Sequence, residues 1–514
     1  MNSKISYIDQ IQLILLSILP AALVAGPLIS EFIVNVIVIF FIIEILKEKK
    51  FYLFKDNLFL YFTLFYFFLI LSLLNSDIFS KSALNVFFYF RFFLFAFAVK
   101  KLFQRQGTIN KYIYYALSIT VFIVVIDGYI QFFSGKNILG FPKYRIDRLS
   151  GFFNDDLILG SYLLRLMPIL LGLTLFFKDR TKIIFYFNLL LILLATLLIF
   201  LSGERAAFFL MIILLFIIGI LIDLKARIKI FFLAVVISFI TFMLIFNFTI
   251  FDRHIVQFKS HVFGYQNQKI VLSEYMPMFK TSLKMFKANS IIGLGPKSYR
   301  YHCRDEAYIS YYPNKPRIID NTIITINFGW KEIRSFKIDK YFVQKGDIID
   351  FGDKLFLYHF IEEDKQREFY SNKEGKITEI NYRSNELEGK QYVNNDWFAK
   401  LKPFKSPKKI KTLANSCNTH PHNIYFQLLA ETGIIGFMFV FLLFFYILYI
   451  ISKHTFNLVF LGKRNFSNLE ICLITYFFVI LWPIATSGNF FNNWLNIISF
   501  YPLGFYLFEK QRND

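Results

Sequence analysis

His420-Pro-His-Asn-Ile-Tyr-Phe-Gln-Leu-Leu-Ala-Glu-Thr-Gly-Ile-Ile-Gly-Phe437 lies where a long polar stretch gives way to the apolar run Ile434 to Ile451. Two histidines, an amide and a carboxylate thus stand at the mouth of a predicted membrane helix, level with the lipid headgroups. A hydrophobic anchor has no use for titratable groups at that depth. Chemistry at the membrane surface does.

Reading outward, the chain has 514 residues, 56% of them hydrophobic and 18% charged. A soluble domain of this length is far more polar, so the composition predicts an all-α polytopic membrane protein. Apolar runs fall near 11–28, 29–46, 58–74, 84–99, 112–133, 157–177, 183–201, 205–222, 230–250, 433–451, 469–486 and 491–508. Each is about long enough to cross a bilayer, which predicts about 12 transmembrane helices. The parts expected are 1–250 with spans one to nine, an outer region over 251–432, and 433–514 with the last three spans.

The net charge of +21 does not point to nucleic acid, because the basic residues form no stripe or basic helix. Most sit in alternate short loops: Lys47, Lys49, Lys50 and Lys55; Lys100, Lys101, Arg105 and Lys111; Lys178, Arg180 and Lys182; Lys225, Arg227 and Lys229; Lys453, Lys463 and Arg464. All fall on one side if both termini are cytoplasmic, as the positive-inside rule requires. Residues 134–156, with Lys136, Lys143, Arg145 and Arg148, are the exception. The long region 251–432 does not weigh against the topology, since long loops cross regardless of charge.

That region divides in three. Residues 251–316 are read as helical, from the spacing of Met276, Phe279, Leu283 and Phe286. Residues 317–403 alternate with period two, as in Thr322-Ile-Ile-Thr-Ile-Asn327 and Lys354-Leu-Phe-Leu-Tyr358, between Gly-Asp turns at 346–347 and 352–353. This predicts a small β domain. Its order of strands and turns resembles a biotinyl/lipoyl-like barrel, although the turn at Lys373-Glu-Gly375 offers no convincing modification lysine. A structural or docking module is expected. Residues 404–432 lead into the histidine motif. Cys303 and Cys417 bracket the β domain and Cys472 lies in a predicted span. A Cys303–Cys417 bridge would pin the insert's ends together on an oxidising side of the membrane, and two free thiols are an equal alternative.

Several elements, in order, resemble the O-antigen ligase/polymerase superfamily of polytopic membrane glycosyltransferases. His422 and Gly433, with ten residues between them, match its His-x10-Gly pattern; Leu201-Ser-Gly-Glu-Arg-Ala206 matches its short arginine-bearing outer loop. Arg148-Leu-Ser-Gly-Phe-Phe-Asn154 with Gly160 resembles its Arg-x-x-Gly-x-x-Asn stretch, and Ile292-Gly-Leu-Gly-Pro296 its Gly-x-Gly-Pro element. Ser487-Gly-Asn-Phe-Phe-Asn-Asn493 resembles its Asn-rich entry to the last span. The β domain is a departure, read as an insertion.

The resemblance implies transfer of a glycan from an undecaprenyl-diphosphate carrier to an acceptor hydroxyl on a glycolipid such as lipid A-core. The place implied is the periplasmic face of a bacterial inner membrane, with membrane lipid as surroundings. No cofactor or metal is expected. A polymerase of the same fold, extending the glycan on its carrier, is the nearest alternative; a transporter or flippase is a further one, though the polar groups gather at one face and no internal repeat is evident.

A departing diphosphate calls for planar cationic donors, and an attacking hydroxyl for an acceptor of its proton. Arg205, on the wrong side for a topology signal, is the expected diphosphate ligand. His422 is the expected base, or donor to the leaving group, since an ordinary imidazole titrates near neutrality. His420 and Asn423 are expected in support, and Glu431 as a partner to another span. Arg91, Asp127 and Arg165 lie roughly 9–12 Å inside three different spans. Charges at that depth are paired or functional: one arginine is expected to pair with Asp127 and the other to reach the phosphates. Arg148, Arg300 and Arg304 are candidate contacts to phosphate or acidic sugar.

Overall fold

The computed structural model describes residues 7–49, 54–105, 110–143, 147–177, 182–259, 275–310, 323–327, 336–350, 352–360, 365–381, 397–403 and 417–513. Lys50, Arg145, Lys178 and Arg180 lie outside them. The chain forms two compact units, one of residues 1–310 with 416–514 and one of residues 311–415.

The larger unit is helical: α1 Tyr7–Ala25, α2 Pro27–Glu48, α3 Asn57–Ser72, α4 Phe79–Arg105, α5 Asn110–Ser134, α6 Leu159–Phe176, α7 Lys182–Leu201, α8 Arg205–Leu221, α9 Ala226–Phe246, α10 Phe248–Phe251, α11 Met276–Ala288, α12 Tyr299–His302, α13 Ile424–Leu461, α14 Asn468–Ile480 and α15 Asn493–Asn513. Among the described residues nine helices are long and apolar enough to cross a membrane, and α8 and α14 are shorter apolar helices. Local chemistry sets the starts. Asp56 accepts from the Leu58 amide at 2.8 Å ahead of α3, and Ser467 and Glu470 form a reciprocal cap on α14. One continuous core, with Leu16, Phe41, Phe95, Tyr162, Leu198, Cys472 and Tyr501 buried in it, joins α1, α2, α4, α6, α7, α14 and α15.

The loops meet at the two ends of this bundle, as their alternation predicts. At one end Lys101 pairs with Glu44, Gln104 bonds Gln511 at 2.6 Å, and the Asp223 amide donates to Asn468 at 2.8 Å. At the other, Asn75 donates to the Gly293 carbonyl at 2.8 Å, the Leu149 amide to the Ser202 carbonyl at 3.2 Å, and Trp494 to the Leu23 carbonyl at 2.8 Å. The basic exception is partly absorbed here, because Lys143 donates to the Phe132 carbonyl at 2.8 Å and lies over that ring.

The decisive irregularity is in α13. It begins nine residues before the expected span and breaks at Gly433, with φ 62° and ψ −163°. A break strands amides and carbonyls that the helix would otherwise satisfy, at a cost of several kcal/mol each in an apolar setting. The segment Ser290–Gly295 supplies the missing partners. Leu294 and Gly295 donate to the carbonyls of Ala430 and Glu431 at 3.1 and 2.9 Å, and Ile434 donates to Ser290 at 2.8 Å. The approach leaves no room for side chains: a Cβ on Gly433 would stand 2.4 Å from the Ile291 carbonyl oxygen, and one on Gly293 2.5 Å from the Glu431 backbone.

The second unit holds two antiparallel sheets, in the orders β1-β7-β6-β3 and β2-β4-β5. The strands are β1 Ile324–Asn327, β2 Phe336–Tyr341, β3 Ile348–Ile349, β4 Lys354–Phe360, β5 Arg367–Tyr370, β6 Gly375–Ile380 and β7 Trp397–Pro403. Their inward residues, Ile326, Leu355, Phe356, Ile377, Phe398 and Leu401 among them, make a separate core. Period-two alternation thus gives strands where expected, while Thr322 and residues 311–321 and 404–416 lie outside the described residues.

Candidate active site

Two groups of polar side chains occupy the end of the bundle where the 202–204, 290–300, 417–423 and 481–492 segments meet. The first forms around the turn between α7 and α8. Gly203, with φ 72°, lies so close to residues 147–148 that a Cβ there would stand 2.3 Å from the Asp147 carbonyl oxygen and 3.0 Å from Arg148 Cδ. The stretch beginning at Arg148 and the Arg205 loop, 57 residues further on in the sequence, are therefore one structure. Arg253, just after α10, donates through Nε to the Gly203 carbonyl at 2.9 Å, and its Nη1 lies 3.6 Å from Asp147. His254 follows, buried, with Nε2 2.9 Å from the Phe200 carbonyl oxygen and its ring stacked on Phe200.

The electrostatics are cationic. Burial pushes His254 down to about 4, and the nearby guanidiniums of Arg253, Arg205 and Arg148 push the same way, against the Phe200 carbonyl. The imidazole is neutral and three arginines surround it. Glu204 is the buried counterweight. It accepts from the Gly160 and Ser161 amides at 2.7 and 3.2 Å and from the Ser161 hydroxyl at 2.6 Å. Burial raises its pKa, opposed by those hydrogen bonds and by Arg148. Arg165, in α6, donates to the Ser161 carbonyl at 3.0 Å and lies within the field of Glu204. Four arginines gather here with Asp147, Asp252 and Glu204, and guanidiniums are the donors an anionic group needs.

The second group surrounds the histidines. His422 has φ 57°, a conformation that costs a non-glycine residue energy and is tolerated where its surroundings over-determine it. Three things do so here. Its carbonyl accepts from the Ser487 amide at 2.9 Å, its Nε2 lies 2.9 Å from the Asn418 amide nitrogen, and its ring packs on those of Tyr275 and His420 at 5.1 and 4.4 Å. His420 Nε2 bonds the Ser487 carbonyl at 3.2 Å. Burial lowers the pKa of His422. His420 falls to about 4, chiefly from burial and then from His422, with Arg300 adding to the effect and the Ser487 carbonyl resisting it. Both rings are neutral at pH 7.

Several expected residues take other positions. Asn423 caps α13, accepting from the Tyr425 and Phe426 amides at 2.9 and 3.2 Å and donating to the Pro483 carbonyl at 2.7 Å. Its side chain serves the backbone. Glu431 does not partner another span. It accepts from the Lys297 and Tyr299 amides at 2.9 and 3.1 Å and from Gln427 at 3.0 Å, tying α13 to the segment that fills its break. Asp127 pairs with neither arginine; it accepts from the Ile138 amide at 2.9 Å and from Asn137 at 3.4 Å. Arg91 pairs instead with Glu31 at 3.3 Å, and Glu31 also accepts from Asn493 at 2.6 Å. Lys297 lies within the fields of Arg300, Glu431, Glu31 and Arg91, and of these arginines Arg300 also acts on His420. Arg304 is exposed.

Arg253, His254, Glu31 and Asn418 escaped the sequence reading. Arg253-His254 directly after an apolar run carried a signal, since a cation there faces the same end as Arg205. Glu31 and Asn418 carried none.

The sequence model of one protein family, described as O-antigen ligase, matches residues 189–329. The match takes in Arg205, Arg253 and the Gly293–Pro296 segment and ends before His422. No curated protein matches the chain. The family match supports the O-antigen ligase superfamily and an O-antigen ligase/polymerase-type function. With the apolar helices it supports a glycosyltransferase-type enzyme in a multi-pass membrane protein, with membrane lipid and glycolipid substrates.

Proposed function

We propose, from membership of the O-antigen ligase superfamily as the premise, that this protein moves a finished glycan from an undecaprenyl-diphosphate carrier to an acceptor hydroxyl of a glycolipid. The reaction takes place at the periplasmic face of the inner membrane, across about 12 spans if α8, α14 and α15 also cross. The observation that carries the reading is the cradle of Arg148, Arg205 and Arg253 around neutral His254, at the same end of the bundle as a neutral His422.

In this scheme the diphosphate lies among the guanidiniums, which hold it by charge-assisted hydrogen bonds that strengthen as negative charge builds on the departing oxygen. His422, neutral and half-buried, takes the proton of the acceptor hydroxyl as oxygen attacks the anomeric carbon and the carbon–phosphate oxygen bond breaks. Arg91, Arg165, Arg300 and His420 line or support the approach, and Asn423 acts through the cap. The inserted β unit serves as a structural or docking module.

The test is reconstitution of the purified protein with carrier-linked glycan and lipid A-core, read by mass. Glycan on the acceptor is expected, and longer glycan still on the carrier would make it a polymerase instead. His422→Ala and Arg205→Ala are each expected to lose on the order of 100-fold or more in kcat while remaining folded. Full activity in both removes this site.

A further inference from the structure

We infer that Asn418, clamped by the Cys303–Cys417 disulfide, is a positioning residue that fixes the tautomer of His422. This rests on the reading of His422 as the base. The orientation of the amide is settled by its other end: the Asn418 carbonyl oxygen Oδ1 accepts from the Thr419 amide at 2.7 Å. The atom left facing His422 is therefore Nδ2, 2.9 Å from Nε2. A carboxamide nitrogen only donates, so Nε2 carries the lone pair and Nδ1 the proton. The ring is held in the form whose Nε2 can receive a proton, and the incoming hydroxyl replaces the amide as donor to that same lone pair.

Asn418 needs an anchor, and the chain supplies one at the adjacent residue. Cys417 is bonded to Cys303, with Cα atoms 5.0 Å apart across a sequence separation of 114. Cys303 is buried at the end of α12, packed with Met278, Met285, Leu294 and Tyr299, and its sulfur lies 3.8 Å from the backbone carbonyl oxygen of Asn418. The Asn489 side chain reaches the Thr419 carbonyl at 3.5 Å. The strand of chain bearing Asn418 is thus fixed on one side by a covalent bond to the end of α12. On the other it is fixed by the cap of α13.

Asn418→Asp tests this directly. A carboxylate only accepts, so it draws the proton to Nε2, removes the lone pair and stabilises the imidazolium. In the reconstituted transfer assay the acid limb of kcat is expected to move up by about one pH unit or more. Activity at pH 7 should fall at least tenfold, within the roughly 100- to 10,000-fold that a general base contributes. Asn418→Ala should lower kcat by about tenfold with the donor KM little changed.

Reduction by dithiothreitol adds two electrons and two protons to the bridge, giving two thiols and the cyclic disulfide of the reagent. It should lower wild-type kcat by about the Ala factor and add nothing in Asn418→Ala, as expected of coupled groups. A pH profile of Asn418→Asp superimposable on wild type, at wild-type kcat, overturns the inference. So does an equal loss on reduction in wild type and Asn418→Ala, because the bridge then acts elsewhere. A fully active His422→Ala removes the base itself, a different failure and separately visible.

Discussion

His254 illustrates how a single buried ring makes a site sensitive to acid. Its folded pKa of about 4 lies below the ordinary 6.5. Between those values the unfolded chain binds a proton that the folded chain refuses. Its contribution is complete above pH 6.5 and is lost as pH falls toward 4, up to about 3 kcal/mol. His254→Phe keeps the stack on Phe200 and is expected to flatten the fall in unfolding midpoint between pH 7 and 4, measured in detergent. An unchanged slope would assign it to other groups, His420 among them. At this scale the sequence was informative where residue type was unusual for its position, as with Arg205 and His422. It was silent on Glu31, because an acid at the fifth residue of a helix carries no sign that Arg91, in α4, will seek it.

At the level of elements, the interrupted α13 and the segment Ser290–Gly295 form one unit. Gly433→Ala must place a Cβ 2.4 Å from the Ile291 carbonyl oxygen at φ 62°. It is expected to destabilise the protein by more than the roughly 1–3 kcal/mol of such backbone strain alone, seen as a lowered midpoint in thermal unfolding. Gly462→Ala, also at positive φ but with nothing within 4 Å, is the control and should cost less. Wild-type stability in Gly433→Ala would mean that the break is not needed. The two motifs were each legible as residues. That one completes the other was not, since alternation and hydropathy report a helix's own period and say nothing about which distant backbone answers an interrupted one. The same limit hid the true start of α13: Asn423 reads as polar and outside, yet its cap extends the helix to meet it.

For the molecule as a whole, the alternation of basic loops predicted two faces, and the contacts of Lys101 with Glu44 and of Arg253 with Gly203 gather at opposite ends of the bundle. Their membrane sidedness is open to a direct measurement. Cys472 is buried and the other two cysteines are bonded, so a single introduced thiol is read cleanly by a membrane-impermeant maleimide. Ile484→Cys, at an exposed position, is expected to label in intact spheroplasts, and Lys463→Cys only after permeabilisation. The reverse pattern would invert the orientation. The dependence of α13 on Ser290–Gly295 also has a bearing on biogenesis. Translation delivers the donor segment first and its recipient some 140 residues later. Until the ribosome has passed Ile434, the chain already in the bilayer holds an incomplete lid of open amides and carbonyls. A nascent chain arrested before that point lacks the backbone partners that α13 gives to Ser290–Gly295.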